Sequence, residues 1–265
     1  IDHQLQSGSS AQAEKVCSQI SIPCTIEKVK VEITDGLEAS ARRARYAALE
    51  SCAKKNGAVA VLLGHTKDDQ AETVLLGLAR GSGARSLAGM SEVNGIYVRP
   101  FLEITRQQTV QACEELNLKP WNDPHNEDET FLRVKVRKNV LPVMEQELGP
   151  GIRDALTRSA QLLRDDADAL DQLARAFWEE DQSLEVGALL KLSKAVRTRV
   201  LRIALIQAIK DASVNAGENK GGAQLSSEQV GQVEALVSNW KGQGEVSLPA
   251  GVKVSRISGR LTLSN

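Results

Sequence analysis

The run Gly64-His65-Thr66-Lys67-Asp68-Asp69-Gln70-Ala71-Glu72-Thr73 gathers an imidazole and three carboxylates in one short segment. His65, Asp69 and Glu72 stand at i, i+4 and i+7, a spacing that predicts one helix face for all three. Asp68 lies a step aside. Such a set could hold a magnesium ion bridging phosphates, or orient an amine nucleophile. A charged, solvated first helical turn is the competing reading, because carboxylates favour helix N-termini.

What positions these residues is a short apolar run, Ala58-Val59-Ala60-Val61-Leu62-Leu63, ended by Gly64. A continuous run of this kind suits a strand covered on both faces of a parallel sheet. The helix after it extends to Arg80, and α/β sheets place ligands at the C-terminal ends of their strands. Upstream, Ser10 to about Ile20 reads as a helix and Thr25–Val31 alternates as a strand does. A long helix is predicted from Leu37 to Asn56, closed by Gly57. A short strand falls near Ile96–Val98, and Thr105-Arg106-Gln107-Gln108 offers a capping box that opens a further helix. A basic helix then runs to Pro142, carrying Arg133, Lys135, Arg137 and Lys138. Its cations read from the residues alone as a solvated face.

Gly149-Pro150-Gly151 is the predicted hinge, dividing residues 1–148 from 149–265. Beyond it, long helices are expected over Ile152–Glu180, Ser193–Ala212 and Ser226–Trp240, with a loop at Asn215–Gly222. Three short strands, Glu245–Leu248, Val252–Ile257 and Arg260–Leu263, close the chain. The expected fold class is α/β, a parallel sheet with helices on both faces, followed by a mostly helical domain with a short C-terminal β element.

Composition narrows the class without naming it. In 265 residues, 42% are hydrophobic and 25% charged, which is ordinary for a soluble globular protein. No apolar run reaches the roughly 18–20 residues of a membrane helix, and no signal segment opens the chain. A cytoplasmic address follows as the default. A net charge of −1 does not advertise nucleic acid, so any such site must come from local clustering. Cys17, Cys24, Cys52 and Cys113 show neither a C-x-x-C pair nor zinc-like spacing and read as reduced, semi-buried thiols.

The run from Gly64 to Thr73, continued by Leu78-Ala79-Arg80-Gly81-Ser82-Gly83 and Leu87-Ala88-Gly89-Met90, closely resembles the tRNA(Ile)-lysidine synthase family. Ile1-Asp2-His3 resembles the end of that family's second strand, and Leu37–Tyr46 its arginine helix. Arg99-Pro100-Phe101-Leu102 with Thr105-Arg106 resembles the entry to the next helix. Trp121–Asn126 with Phe131, Arg133, Arg137 and Leu141-Pro142 resembles the closing motif. These motifs keep their order and spacing from residue 1 to about 142, and the helical region behind them is similar, more loosely, to the family's substrate-binding domain. Two departures stand out. No S-G-G-x-D-S phosphate loop occurs, so the chain is expected to begin past that loop and its strand. Arg133-Val134-Lys135 replaces an R-N-R found in many members.

The resemblance implies an N-type ATP pyrophosphatase with an adenine-nucleotide hydrolase-like fold. It also implies a ligase reaction in tRNA processing. ATP, with magnesium, adenylates the wobble cytidine of an isoleucine tRNA, and L-lysine displaces AMP to form lysidine. It places Asp69 and Glu72 on the lysine side, and His65 and Asp68 near nucleotide or metal. Asp2, His3, Arg42, Arg45 and Arg80 fall toward ATP and its phosphates, and Arg133, Lys135, Arg137 and Lys138 toward tRNA phosphates. A homodimer is left open. Two rivals remain: a tRNA thiolation enzyme of the same superfamily, which would use catalytic cysteines in set motifs, and a non-catalytic tRNA-binding protein.

Overall fold

The computed structural model describes residues 1–4, 8–33, 36–215 and 225–264. Contacts divide the chain into two compact units, Ile1–Leu163 and Arg164–Asn265.

The first unit holds helix α1 (Ser9–Ser18), helix α2 (Leu37–Lys55), strand β1 (Val61–Leu62), helix α3 (Lys67–Ala79) and helix α4 (Ala84–Leu87). Strands β2 (Val93–Asn94) and β3 (Tyr97–Val98) follow, then helices α5 (Arg106–Glu115), α6 (Leu132–Lys135) and α7 (Leu141–Glu147), and the first part of α8 (Ile152–Glu180). β3 is the centre of a small sheet, parallel to β1 and antiparallel to β2. Val61 pairs with Tyr97 and Leu62 with Val98, and the Leu63 amide extends this ladder by donating to the Val98 carbonyl at 2.8 Å.

The strands are shorter than the sequence pattern predicts. Across Thr25–Val31 a single parallel bridge forms, Asp2 with Lys28. In the 58–63 run Val59 is 94% exposed and Leu62 70% exposed, so the expected burial on both faces is not observed. Alternation and apolarity report what a strand's faces tolerate, but a ladder exists only where backbone partners lie alongside.

Helix boundaries follow their caps. At α5, Thr105 and Gln108 form the expected reciprocal box, with Gln108 Oε1 accepting from the Thr105 amide at 2.9 Å. The basic helix expected to reach Pro142 is interrupted: Val136–Val140 form a π turn between α6 and α7. Pro142 has no N–H to donate one turn back, which removes a rung where the backbone widens.

The cysteine expectation needs correction for two residues. Cys17, at the end of α1, is disulfide-bonded to Cys24, with their Cα atoms 5.6 Å apart; Cys52 and Cys113 are free. Spacing along the chain cannot reveal the reversal after α1 that brings this pair within disulfide reach.

The second unit comprises the rest of α8, helices α9 (Val186–Lys191), α10 (Lys194–Asn215) and α11 (Ser227–Ser238), and the antiparallel strands β4 (Val246–Ser247), β5 (Lys253–Ile257) and β6 (Arg260–Ser264). Its core is one cluster containing Leu189, Val200, Leu201, Leu205, Val233, Leu236, Val252 and Val254. Inside it Arg197 Nη2 meets Glu234 Oε1 at 2.6 Å, and Arg197 Nη1 donates to the Leu192 carbonyl. The glycine-rich stretch after Asn215 lies outside the described residues. No helix among those described is long and apolar enough to cross a membrane.

Candidate active site

The acidic run sits where β1 gives way to α3. Thr66 is the N-cap, in extended conformation, and the cap is reciprocal: Asp69 Oδ2 accepts from the Thr66 amide at 2.8 Å while the Asp69 amide faces Thr66 Oγ1 at 3.5 Å. His65 therefore lies outside the helix, which corrects the single face expected for His65, Asp69 and Glu72. The T-x-x-D spacing of a capping box was the signal in the sequence that fixes this boundary.

Each carboxylate has a distinct partner. Glu72 is fully buried and receives two bonds from Arg137, Nε to Oε1 at 2.6 Å and Nη2 to Oε2 at 3.1 Å. Burial pushes the Glu72 carboxyl up against the pull of Arg137. The two guanidinium bonds favour the charged form of Glu72, and hydrogen bonding to Glu72 holds Arg137 above its usual value. Arg133 adds a bond to Thr73 Oγ1 at 3.0 Å and lies 3.7 Å from Glu72 Oε2. Asp68 turns the other way: Oδ2 accepts from the Arg106 amide at 2.7 Å, and Oδ1 is 3.3 Å from Arg153 Nε.

These partners bear on the expected metal ligand. Among the described residues no group of three or more His, Cys, Asp or Glu side chains is arranged to hold an ion. Asp68 is occupied by an amide and a guanidinium, and Glu72 by Arg137. The donor set as arranged forms no protein cage for a magnesium ion, and Asp68, expected as a ligand, already has two protein partners.

His65 is the meeting point of several charges. Burial lowers its pKa to about 4; Asp69 pulls the other way, and the positive fields of Arg45, Arg99 and Arg42 push it further down. His3 is also lowered, first by burial and then by nearby positive charge that includes Arg45. The α2 arginines thus share an electrostatic neighbourhood with both histidines, while remaining exposed themselves. Arg42 packs over the Tyr46 ring at 4.9 Å, and Tyr46 stands edge-on to Tyr97 of β3. Asp2 is buried beside this group. Ser10 Oγ donates to it at 2.7 Å and the Gln4 amide at 2.9 Å; with Ser9, these hydrogen bonds hold its pKa near 2.

Two expected groupings do not form. Arg80 is exposed and caps the far end of α3, eleven residues from Asp69 in sequence and so about 16 Å along the helix. Arg133, Lys135, Arg137 and Lys138 do not make one solvent-facing patch. Arg133 and Arg137 point at α3, Lys138 pairs with Glu127, and Lys135 is the exposed member. Residues 3.6 to a turn cannot all share one face, and positions 133 and 137, four apart, turn to α3 together while 135 does not.

Two residues that the sequence motifs contain without an assigned role also build the site. Gln70 clamps the following loop, its Nε2 donating to the Met90 carbonyl at 2.9 Å and its Oε1 accepting the Met90 amide at 2.7 Å. Arg99 is buried at the end of β3. Their burial and their partners carry no spacing signature, so only the fold shows what they do.

This arrangement, a histidine and a capped carboxylate at the C-terminal end of a parallel strand with arginines facing it, is that of a nucleotide-handling α/β domain. Residues 1–144 match the PP-loop domain, and residues 184–262 match the TilS substrate binding domain. The tRNA(Ile)-lysidine synthase of Streptomyces coelicolor is 45% identical, over 99% of this chain and 75% of that protein. That of Thermobifida fusca is also 45% identical, over 100% of this chain and 81% of its own, and that of Mycolicibacterium paratuberculosis 44% identical, over 97% and 78%. The chain belongs to the tRNA(Ile)-lysidine synthase family.

Proposed function

We propose that this enzyme joins L-lysine to the wobble cytidine of an isoleucine tRNA at the expense of ATP. ATP adenylates the ring carbonyl and pyrophosphate leaves; an amino group of lysine then displaces AMP, giving lysidine. The observation that carries this reading is the match to lysidine synthases along essentially the whole chain, through both the nucleotide-handling unit and the helical unit.

The side chains support a division of labour. Arg42 and Arg45, exposed beside His65, suit phosphate, and His65 is neutral near pH 7 and able to hydrogen-bond without adding charge. Asp69 is assigned to the lysine side, where a carboxylate holds a cationic amine and helps remove its proton. Glu72 acts on that side through Arg137, since a buried, doubly bonded carboxylate meets substrate only if Arg137 leaves. Asp68 anchors the first turn of α3 to α5 and α8. Lys135 and Lys138 are assigned to tRNA phosphates, whose neutralisation makes binding strongly salt-dependent. Magnesium is assigned to the ATP phosphates as their counter-ion, not to a protein cage. The same reading puts the catalytic domain at residues 1–148, the tRNA-binding domain at 149–265, and the enzyme in the cytoplasm.

The test is incubation of the protein with isoleucine tRNA, ATP and labelled lysine. Lysine incorporated into RNA with equal AMP release is the expected outcome. Pyrophosphate release that ignores lysine would favour another ATP pyrophosphatase, and tRNA retention without ATP consumption a non-catalytic binder. Sedimentation of the purified protein tests the homodimer.

A further inference from the structure

Arg99 is a buried cation without a carboxylate. The residue is 5% exposed, and none of the ion pairs among the described residues includes it. Its Nη1 donates to the Ser91 carbonyl at 2.8 Å, while its enclosed Nε has no hydrogen-bond partner. Nη2 has no protein partner among the described residues and is not among the enclosed atoms, so it is the corner of the fork open to an incoming group. Taking a guanidinium out of water is costly unless an anion meets it, and a carbonyl oxygen supplies only part of what is lost.

The position of Arg99 says where that anion belongs. β1 and β3 run parallel with Leu62 opposite Val98, so Arg99 leaves β3 beside the point where Leu63-Gly64-His65 leave β1. That is the carboxyl edge of the parallel pair, where sheets of this kind receive ligands. Arg42 and Arg45 act on the same histidine, against the opposing pull of Asp69. Guanidinium groups converging on this strand edge suit a polyphosphate better than the single carboxylate of an amino acid.

We propose that Arg99 is the phosphate-receiving cation of this site, its fork taking oxygens of the ATP phosphate chain. The proposal rests on the ATP-dependent reading above. It also gives the buried position of Arg99 a reason: a fork fixed by Ser91 is pre-organised, and desolvation strengthens its attraction for phosphate.

Arg99→Met and Arg99→Lys, made in the full-length protein, test it by equilibrium titration with ATP, thermal melting and steady-state kinetics. Arg99→Met should weaken ATP binding by about tenfold or more while the KM for lysine stays within about twofold. Its melting temperature should hold or rise, because an unpaired buried charge has gone. Arg99→Lys should recover only part of the ATP affinity, since an ammonium cannot reproduce the fork. Wild-type ATP affinity in either variant would overturn the proposal. So would a loss confined to the lysine KM, which would make Arg99 a carboxylate receptor, or a lowered melting temperature with unchanged ATP affinity, which would make it a structural prop. If Arg99→Met does not fold, the Arg99→Lys titration decides alone. Failure of the wild-type protein to bind ATP would instead sink the functional reading beneath it.

Discussion

Glu72 of α3 and Arg137 of the π turn are joined by two hydrogen bonds, 2.6 and 3.1 Å long, with the carboxylate wholly out of solvent. The pair ties the basic segment to the helix whose first turn carries Asp69. Removing one partner of a buried pair leaves an uncompensated charge, at a cost of about 3–5 kcal/mol. Arg137→Ala should therefore lose stability on that scale in urea unfolding, and Glu72→Ala somewhat less, because Arg137 remains partly solvated. An Arg137→Ala midpoint equal to the parent's would mean the pair holds nothing together.

Gly89 has a positive φ of 62°, and a Cβ there would lie 2.7 Å from Gln70 Oε1. Gly89→Ala must both strain the backbone and break the Gln70–Met90 clamp. A loss of about 2–4 kcal/mol is expected from the two effects together. Gly81 is the control: its φ is 64° but the space beside it is empty, so Gly81→Ala should cost only about 1–2 kcal/mol. Equal losses at the two positions would remove the case for the clamp.

His65 titrates near 4 in the folded protein against an ordinary 6.5. Between those values the unfolded chain binds the extra proton and the folded chain does not, so stability falls as pH drops from 6.5 toward 4. His65→Gln should flatten that part of the stability profile. NMR of the imidazole gives the direct check: a midpoint near 6.5 would contradict the burial and arginine fields that depress it.

Asp69→Asn keeps an oxygen able to accept from the Thr66 amide and so preserves the cap on α3. What it removes is charge. Lysine incorporation should fall by about 10²–10⁴-fold with tRNA affinity largely intact. A parallel loss of tRNA binding would sink the assignment of Asp69 to the lysine side.

Alkylation before reduction should label two thiols, Cys52 and Cys113, and four after reduction. Cys17→Ser removes a short covalent loop and should cost about 2–3 kcal/mol. Four labels without reductant would show the Cys17–Cys24 pair to be open in the protein as isolated.

Much of the helical architecture was legible because its signals are local. The Thr105–Gln108 box acts within a few positions of the chain, and α8 and the three C-terminal strands stand where their local patterns place them. The order of motifs from Asp2 to Pro142 was equally legible, and with it the family. Where the reading slipped, the deciding partner was distant. Thr25–Val31 alternates like a strand but finds one bridge, and the four cations of the 133–138 segment divide between α3, Glu127 and solvent.

Sequence by itself determined which groups this protein brings to its chemistry: a histidine and carboxylates behind β1, and the arginines of α2. Tertiary structure alone decided which of those groups stay available. Glu72 is consumed by Arg137, Asp68 by Arg106 and Arg153, and Arg99 is left buried without an anion. The physical reason is that charge and hydrogen-bonding capacity belong to a residue, whereas burial and pairing belong to what the fold sets beside it, sixty or more positions away in the case of Glu72 and Arg137.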